Sequence, residues 1–354
     1  MNLEELGFKP AHAEAFRALG SASARPGRVC AAYARQFRLI TEGGEVTAAV
    51  SGAFADRAQA PADFPTVGDW VAFEESAPGE GVIPALLPRM SALTRRAAGR
   101  RRESQVLAAN VDRVLIVMGL DGDFNLRRLE RALVMVRQSG AAATVLLNKT
   151  DLDAEVAARR QADTVAVAGE TAVVALSALR GEGLSALEPY LKRGETLVLL
   201  GSSGTGKSTL VNRLLDDARQ ATGPVREYDD RGRHTTTTRE LVVLPSGALL
   251  IDTPGIREIQ LDAVAGALDA AFDEVAAVAR GCRFRDCRHE QEPDCAVRAA
   301  VEAGEIAPER VASLRKLEKE LAHQAERGDT QLTLARKAKW KAIHKAGRHN
   351  RPRE

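Results

Sequence analysis

The sequence predicts a multidomain α/β protein, and three observations carry that prediction. The chain has 354 residues, which is too long for one ordinary hydrophobic core and favours two or three domains. Residues 27–103 contain short β-like runs divided by Gly, Pro and acidic turns, whereas residues 104–262 alternate continuous apolar runs with helical patterns. Residues 263–335 have helical patterns interrupted by a cluster of Cys and His. We therefore expect three successive domains, with a helical extension at 1–26 before them and a basic tail at 336–354 after them.

The composition is that of a soluble globular protein, with 45% apolar residues. No run of 18 or more apolar residues occurs, and the first ten residues carry acids where a signal peptide would carry bases, so a cytoplasmic protein is expected. The net charge is only +2, yet five arginines lie within 94–102 and eight Lys/Arg within 336–353. Such clusters suit a phosphate backbone, although solvated helix faces or a disordered tail give the same pattern.

The first domain is predicted to be a small β-barrel. Its five short runs are "RVCAAYA", "QFRLIT", "EVTAAVSGAF", "GDWVAFE" and "GVIPALLPR". This spacing favours an OB-fold, whose open face commonly binds oligonucleotides, while an SH3-like barrel remains the alternative. Cys30 lies in the first run and is expected to be a buried apolar residue.

The second domain is predicted to be a doubly wound α/β domain. Strands are expected at 111–120, 142–151, 171–179 and 247–255, and a helix at 125–140 that ends at Gly140. The strand runs are continuously apolar rather than alternating, which indicates strands covered on both faces. A parallel sheet with helices on both sides follows from that pattern.

A phosphate-binding loop, "GSSGTGKST", occupies 201–209 between a predicted strand and a predicted helix. Glycines let consecutive N–H groups point at phosphates, and the positive end of the following helix adds to the attraction. Lys207 is expected to neutralise β- and γ-phosphate oxygens, and Ser208 to bind Mg²⁺. The candidate nucleotide-binding residues of this loop are Gly201, Ser202, Ser203, Gly204, Thr205, Gly206, Lys207, Ser208 and Thr209.

The stretch "DTPG" at 252–255 ends the last apolar strand. Asp252 is expected to reach the Mg²⁺ shell there, and the Gly255 N–H to meet the γ-phosphate. Between the two motifs lies "RGRHTTTT" at 231–238, whose threonines are expected to close over the metal when the third phosphate is present. Thr237 is the predicted magnesium ligand and Thr236 the alternative. A plain β-strand would also explain the run of threonines.

The stretch "NKTD" at 148–151 predicts specificity for guanine. An Asp carboxylate accepts two hydrogen bonds from the N1–H and the exocyclic amine of guanine, a pattern that adenine does not offer. The stretch "SAL" at 177–179 follows a later strand and offers an N–H to guanine O6. Lys149 is expected to cover the ring of the base. The candidate base-binding residues are Asn148, Lys149, Thr150, Asp151, Ser177 and Ala178.

The order of these motifs along the chain indicates a circularly permuted GTPase. GTPases usually present the phosphate loop first, then the switch threonine, DxxG, NKxD and SA. Here the chain presents NKTD, SAL, the phosphate loop, the threonines and DTPG. Cutting a ring of elements at another loop preserves the site in three dimensions, because neighbouring termini tolerate such rearrangement.

That order, together with "AANVDRVLIV" at 108–117 and "GRHTTT" at 232–237, resembles the ribosome small subunit-dependent GTPase A (RsgA/YjeQ) family. The resemblance covers roughly 27–300. It implies an N-terminal OB-fold β-barrel, a circularly permuted P-loop GTPase domain and a C-terminal helical zinc-binding domain. It also implies slow GTP hydrolysis by the protein alone and faster hydrolysis on the small ribosomal subunit, whose late maturation the family serves.

The group that positions the attacking water is expected to come from the threonine loop. Many GTPases place Gln directly after DxxG, whereas Ile256 stands there in this chain and cannot polarise water. The resemblance suggests His234 as the catalytic residue, because a neutral imidazole orients water near pH 7. A loop histidine that hydrogen-bonds to phosphate or RNA is the alternative role.

The third domain contains "CRFRDCRHEQEPDC", which supplies Cys282, Cys287, His289 and Cys295. A Cys₃His set is sufficient for a closed tetrahedral zinc site, although the spacing departs from the common C-x₂-C. The resemblance supports one structural zinc ion. Arginines of this loop, the barrel, the run at 94–102 and the tail together suggest contact with ribosomal RNA, mainly through phosphates.

These inferences predict a GTPase that binds the small ribosomal subunit and its rRNA, acts in the subunit's late maturation, and uses Mg²⁺ with GTP. We expect a monomer with no membrane association. A GTP-gated RNA-binding module with incidental hydrolysis is the main alternative, which Ile256 favours. A metabolic ATPase or kinase is more distant, because Asp151 argues against adenine.

Overall fold

The computed structural model describes residues 1–33, 36–96, 104–219, 239–252, 268 and 271–328. The chain forms two compact units, Met1–Gln260 and Leu261–Glu354. The barrel and the α/β sheet both belong to the first unit. Most of the arginine run at 94–102 and the whole basic tail lie outside the described residues.

The first unit opens with the predicted barrel. Its strands are β1 (Arg25–Tyr33), β2 (Gln36–Thr41), β3 (Gly44–Val50), β4 (Trp70–Ala77) and β5 (Glu80–Leu86). They pair in the order β1-β2-β3-β5-β4, and β4 closes the barrel by pairing with β1. The β3–β5 pair is parallel, and the other pairs of the barrel are antiparallel. This closed Greek-key arrangement is that of an OB-fold, so the SH3-like alternative is wrong.

Side chains alternate between the interior and the exterior of the barrel along its strands. Phe37 and Leu39 on β2, and Val71 and Phe73 on β4, point inward and are at most 5% exposed. Cys30 is buried on β1, as predicted, and its Sγ donates to the Arg38 carbonyl at 3.2 Å.

One local prediction about the barrel region is wrong, and one element of that region was missed. The β-like run predicted over 45–54 is too long, because the strand stops at Val50 and a short helix α2 (Gly52–Arg57) follows. Ser51 caps that helix: its Oγ accepts the Phe54 N–H at 3.1 Å. The hairpin of β6 (Ala92–Arg96) and β7 (Ser104–Ala109) was not predicted either. A 3₁₀ turn at Pro61–Asp63 completes this region.

The α/β part contains the predicted parallel strands. They are β8 (Arg113–Gly119), β9 (Ala142–Asn148), β10 (Ala172–Leu176), β11 (Thr196–Leu200) and β13 (Leu249–Asp252), in the order β10-β9-β8-β11-β13. The helices are α3 (Leu126–Ser139), α4 (Ala154–Ala168) and α5 (Lys207–Arg219), and a 3₁₀ segment spans Leu184–Tyr190. Gly140 ends α3 with φ +82°, as expected for a left-handed cap. Every residue of β11 is buried, which confirms a sheet covered on both faces.

One strand of this sheet is antiparallel and was not predicted. Strand β12 (Glu240–Val243) pairs with β13 on one side and with β1 of the barrel on the other. Glu240 lies opposite Asp252 in one pairing and opposite Ala31 in the other. Arg38 on β2 donates to the Glu240 carboxylate at 3.2 Å. The barrel and the α/β part therefore share one continuous sheet of 11 strands.

The N-terminal segment closes the junction between barrel and α/β part. Helix α1 (Pro10–Ala18) lies within the segment predicted to be helical, and Phe8 before it packs edge-on against Trp70 at 4.7 Å between ring centroids. Arg28 on β1 is 1% exposed and donates to the Leu6 carbonyl, to Thr196 Oγ1 at 2.7 Å and to the Asn110 carbonyl at 3.3 Å. Burial lowers the pKa of Arg28 to about 10, so the guanidinium stays charged at neutral pH.

The second unit contains the helices α6 (Asp273–Ala279), α7 (Ala296–Glu302) and α8 (Pro308–Gly328). Phe272 is fully buried and lies 4.3 Å beneath the Arg310 guanidinium. Within the described part of the chain, none of the helices has the length and apolar character needed to cross a bilayer.

Replacing Arg28 with methionine should destabilise the first unit. The change removes three hydrogen bonds and leaves buried oxygens without a donor, which costs about 3 kcal/mol. Urea unfolding followed by circular dichroism measures that loss. Arg25→Met is the matched control, because Arg25 is on the same strand but its ion pair with Glu75 is exposed and is worth under about 1 kcal/mol. Equal losses in both variants would contradict a structural role for the buried charge.

Candidate nucleotide and metal sites

The predicted nucleotide-binding motifs meet at one edge of the sheet. Asn148 ends β9, Ser177 directly follows β10, Gly201 directly follows β11, and Asp252 ends β13. These strands are parallel neighbours, so their carboxyl ends and the loops that follow them lie side by side. Ligands of open α/β sheets bind at this edge.

The phosphate loop has the backbone conformation that its glycines predict. Gly204 and Gly206 have φ values of +83° and +91°, and helix α5 begins at Lys207. A Cβ on Gly201 would lie 2.3 Å from the Val117 carbonyl, so the loop passes too close to β8 for any side chain there. Lys207 Nζ donates to the carbonyls of Gly201 at 2.8 Å and Ser202 at 2.5 Å. The ammonium group therefore lies over the loop, where an anion at the helix start would meet it.

Asn148 joins the phosphate loop to the base-binding loop. Its side chain is buried, and its Nδ2 donates to the Thr205 carbonyl at 2.8 Å. Its Oδ1 accepts the Ala178 N–H at 2.9 Å. A Cβ on Gly206 would lie 2.2 Å from Asn148 Nδ2, so glycine is required at that position. The Asn148 amide thus sets the distance between the phosphate loop and the base-binding loop.

Asp151 is held ready to accept hydrogen bonds. Ser177 Oγ donates to Asp151 Oδ1 at 2.5 Å, and Arg180 Nε lies 4.0 Å from Oδ2. The hydrogen bond from Ser177 lowers the pKa of the Asp151 carboxyl, so the group is ionised at neutral pH. An ionised carboxylate has the acceptors that the N1–H and the amine of guanine require.

Three residues are predicted to serve a nucleotide-bound Mg²⁺, and the two that the structure describes lie at this edge of the sheet. Ser208 is the second residue of α5 and is exposed, and Asp252 ends the adjacent strand β13. The predicted ligand Thr237 lies outside the described residues, as do Gly255, whose N–H is expected to meet the γ-phosphate, and His234, Thr236 and Ile256. Hydroxyl and carboxylate oxygens are suitable ligands for this ion.

Two contacts at this edge were missed by sequence reasoning. Arg213 on α5 donates to the carbonyls of Ala178 at 3.2 Å and Leu179 at 2.8 Å, which ties the base-binding loop to the helix of the phosphate loop. Asp121, two residues beyond β8, accepts from Lys149 at 2.5 Å. The signal for Asp121 was an acid just past the end of a strand, whereas no motif marked Arg213.

The second unit brings together the predicted metal ligands. Cys282, Cys287, His289 and Cys295 present one ligand atom each, and these atoms all lie within 4.8 Å of one another. The Cys282 and Cys295 sulfurs are 3.9 Å apart, and His289 Nδ1 lies 3.6 and 3.4 Å from them. Ligands on a tetrahedral zinc ion with bonds of about 2.0–2.3 Å are about 3.5–3.8 Å apart, so the residues fit that metal.

The pKa shifts of the histidine and of two of the cysteines are also relevant to cation binding. Burial lowers the pKa of His289, which keeps the imidazole neutral and able to donate a lone pair. Burial, together with the neighbouring sulfurs, raises the pKa of Cys287 to about 11. Burial acts to raise the pKa of Cys282 as well, but N–H groups of Val297 and Ala296 at the start of α7 outweigh it and the pKa is lowered. A bound divalent cation would favour the deprotonated thiolates and would offset the repulsion between these neighbouring sulfurs.

Comparisons with known proteins agree with this geometry. The sequence model of the RsgA GTPase family matches residues 86–262. A protein of Opitutus terrae named small ribosomal subunit biogenesis GTPase RsgA is 48% identical, with 98% of this chain and 97% of that protein aligned. The crystal structure of YjeQ from Thermotoga maritima is 28% identical and has a TM-score of 0.67, covering 84% of this chain and 99% of that chain. YloQ, described as a circularly permuted GTPase, has the same fold, with a TM-score of 0.63 at 23% identity.

Replacing Asp151 with asparagine should change the preferred base from guanine to xanthine. The amide keeps an acceptor for N1–H but presents a donor where the guanine amine also donates, so GDP affinity should fall by about 100-fold. Xanthine carries a carbonyl in place of that amine, so XDP should bind to Asp151→Asn more tightly than to the wild type. Calorimetric titration with both nucleotides measures the exchange. A loss for GDP without a gain for XDP would mean that Asp151 only supports the loop.

Proposed function

This chain belongs to the RsgA GTPase family, and from that premise we propose that it is a GTP hydrolase acting in the biogenesis of the small ribosomal subunit. It hydrolyses GTP to GDP and phosphate, binds the small subunit, and is stimulated by it during late maturation. The observation that carries the proposal is the side chain of Asn148, which bonds to both Thr205 and Ala178. That bridge supports the proposal that Asp151 and Lys207 belong to one nucleotide site.

The nucleotide roles are assigned from the contacts. Asp151 would read the guanine edge, and Lys207 would lie over the β- and γ-phosphates. Ala178 holds the base-binding loop through the N–H that it donates to Asn148 Oδ1, and the predicted contact with guanine O6 would require that N–H to leave or share this acceptor. Ser208 and Asp252, together with Thr237, would hold the Mg²⁺ that accompanies GTP, and this ion would neutralise phosphate charge. The remaining loop residues contribute N–H groups or contacts: Lys149, Thr150, Ser177, Gly201, Ser202, Ser203, Gly204, Thr205, Gly206, Thr209 and Gly255.

The water-positioning role is assigned to His234. Ile256 follows the DTPG motif and has no polar atom for this purpose. A neutral imidazole can orient a water molecule and accept its proton near pH 7. Docking on the subunit would bring His234 into place, so we expect turnover to depend on that partner.

The other regions serve the partner. The OB barrel (27–103), the permuted GTPase domain (104–262), the zinc-binding domain (263–335) and the tail (336–354) are proposed as successive functional segments. A closed zinc site leaves no position for a substrate, so the zinc ion would hold a small domain together. Arg283, Arg285 and Arg288 beside it would contact rRNA phosphates. We propose a cytoplasmic monomer.

Purified small subunits should accelerate GTP hydrolysis by this protein. Docking would complete the catalytic arrangement, so we expect at least about a hundredfold increase in kcat, the lower end of a general-base contribution. Phosphate release with and without subunits measures it, and large subunits are the control.

The same assay separates the alternative, a GTP-gated RNA-binding module. His234→Ala should keep GDP affinity and lose most of the stimulated rate. A wild type that binds subunits in the GTP state but shows no stimulation would support the RNA-binding module. Unchanged stimulated turnover in His234→Ala would remove that residue from the mechanism.

The purified protein should contain one zinc ion per chain. Cys295→Ala removes a ligand and should abolish that zinc, because a three-ligand set holds a structural ion poorly. Elemental analysis measures the metal, and Cys30→Ala is the matched control because Cys30 lies in the barrel. GDP affinity should stay within about twofold in Cys295→Ala, since Cys295 belongs to the second unit and the nucleotide residues to the first. Full zinc in Cys295→Ala would contradict the assigned ligands.

A further inference from the structure

The sheet register places Asp121 beside the base-binding motif. Strand β8 ends at Gly119, whose partner across the β8–β9 pair is Asn148. One residue further, the Leu120 N–H donates to the Asn148 carbonyl at 2.8 Å. The loop after β8 therefore runs alongside the start of NKTD.

The Asp121 carboxylate has two fixed contacts. Its Oδ2 accepts from Lys149 Nζ at 2.5 Å, and its Oδ1 accepts the Asp123 N–H at 3.0 Å. A Cβ on Gly119 would lie 2.7 Å from Oδ1, so the carboxylate occupies space that only glycine leaves open. The side chains of Asp121 and Lys149 are 31% and 29% exposed, so both are mostly covered.

The loop that carries Asp121 is itself held in place. Arg160 on α4 donates to the Asp121 carbonyl at 3.0 Å. The same guanidinium lies 4.9 Å from the centre of the Phe124 ring. Helix α4 follows NKTD in the chain, so the base-binding segment and the Asp121 loop are connected at a second point.

Lys149 needs such an anchor. Its φ is +71°, a left-handed conformation that is strained for a residue with a side chain and is typical of functional sites. Its four-carbon stem has many rotamers in water, and ordering it on ligand binding reduces affinity. An ammonium group already bound to a carboxylate has lost that freedom before the nucleotide arrives.

We propose that Asp121 is a positioning residue of the guanine-nucleotide site: its carboxylate anchors the Lys149 ammonium, so that the lysine stem is set in place to cover the base. This inference rests on the proposed GTP site and adds a residue to it. Asp121 acts through Lys149 and need not touch the nucleotide. The hydrogen bond from Lys149 also lowers the pKa of Asp121, which keeps the anchor ionised at neutral pH.

Asp121→Asn tests this role because it removes the charge and keeps the shape. We expect the GDP Kd and the KM for GTP to rise by about threefold to tenfold, the effect of one side chain that must be ordered on binding, with kcat unchanged. Asp121→Ser is a second variant with the same expectation, since its hydroxyl can still accept the Asp123 N–H. Calorimetry gives Kd and steady-state hydrolysis gives the KM and kcat values.

Asp123→Asn is the matched control. Asp123 lies in the same loop and pairs with Arg128 at 2.8 Å instead of with Lys149. Its replacement should leave the GDP Kd within about twofold of the wild type. If Asp121 only balanced the lysine charge, Asp121→Asn would bind the anionic nucleotide more tightly, and that result would overturn the proposal. An unchanged Kd would overturn it as well.

A double-mutant cycle supplies the second readout. In a Lys149→Met background, Asp121→Asn should change the GDP Kd by less than about twofold, because the anchored group is gone. Additive losses would show that Asp121 acts independently of Lys149 and would defeat the proposal. Titrations of the wild type with GDP and ADP distinguish a failure of the proposed GTP site from a failure of this inference. If the wild type did not bind GDP, the GTP site itself would be refuted. If it bound GDP selectively but Asp121→Asn left the GDP Kd unchanged, only this inference would be refuted.

Discussion

The nucleotide site depends on one buried amide. Asn148 donates to the phosphate loop and accepts from the base-binding loop, at 2.8 and 2.9 Å. A buried amide that lost either partner would leave a polar group unsatisfied at a cost of about 1–3 kcal/mol, so both loops are held to the same side chain. Gly206 has no Cβ because that amide occupies the space. Contacts made by Lys149, Asp151 and Arg213 then refine positions that Asn148 has already set.

This dependence explains why the order of motifs in the chain is free to change. Asn148 comes more than fifty residues before Thr205 here, yet the contact between them requires only that β9 and β11 end at the same edge of the sheet. Parallel pairing of β9 with β8, and of β8 with β11, provides that edge whatever the connections are. The permutation alters which loops are cut and leaves the neighbours in space unaltered.

Much of this architecture could be predicted from the sequence, for identifiable reasons. Continuous apolar runs marked the parallel strands, Gly140 marked a helix end, and Gly-Lys-Ser marked the start of α5. Features set by distant partners left no such pattern. Strand β12 is only four residues long and becomes a strand because β13 and β1 flank it. Arginine is a residue type that usually lies at the surface. The burial of Arg28 depends on oxygens of Leu6 and Thr196, which are remote from it in sequence.

These same features determine how the barrel is attached to the sheet. Strand β12 would expose an unpaired edge if β1 did not cover it, and Ala31, Glu240 and Asp252 consequently lie in one row across three strands. The ion pair of Arg38 with Glu240 is partly exposed and contributes at most about 1 kcal/mol, so it cannot by itself hold the barrel. Arg28 can, because rotating the barrel would separate a buried charge from three oxygen partners. The barrel is therefore joined to the sheet by the backbone pairing of β12 and by the hydrogen bonds of the buried Arg28.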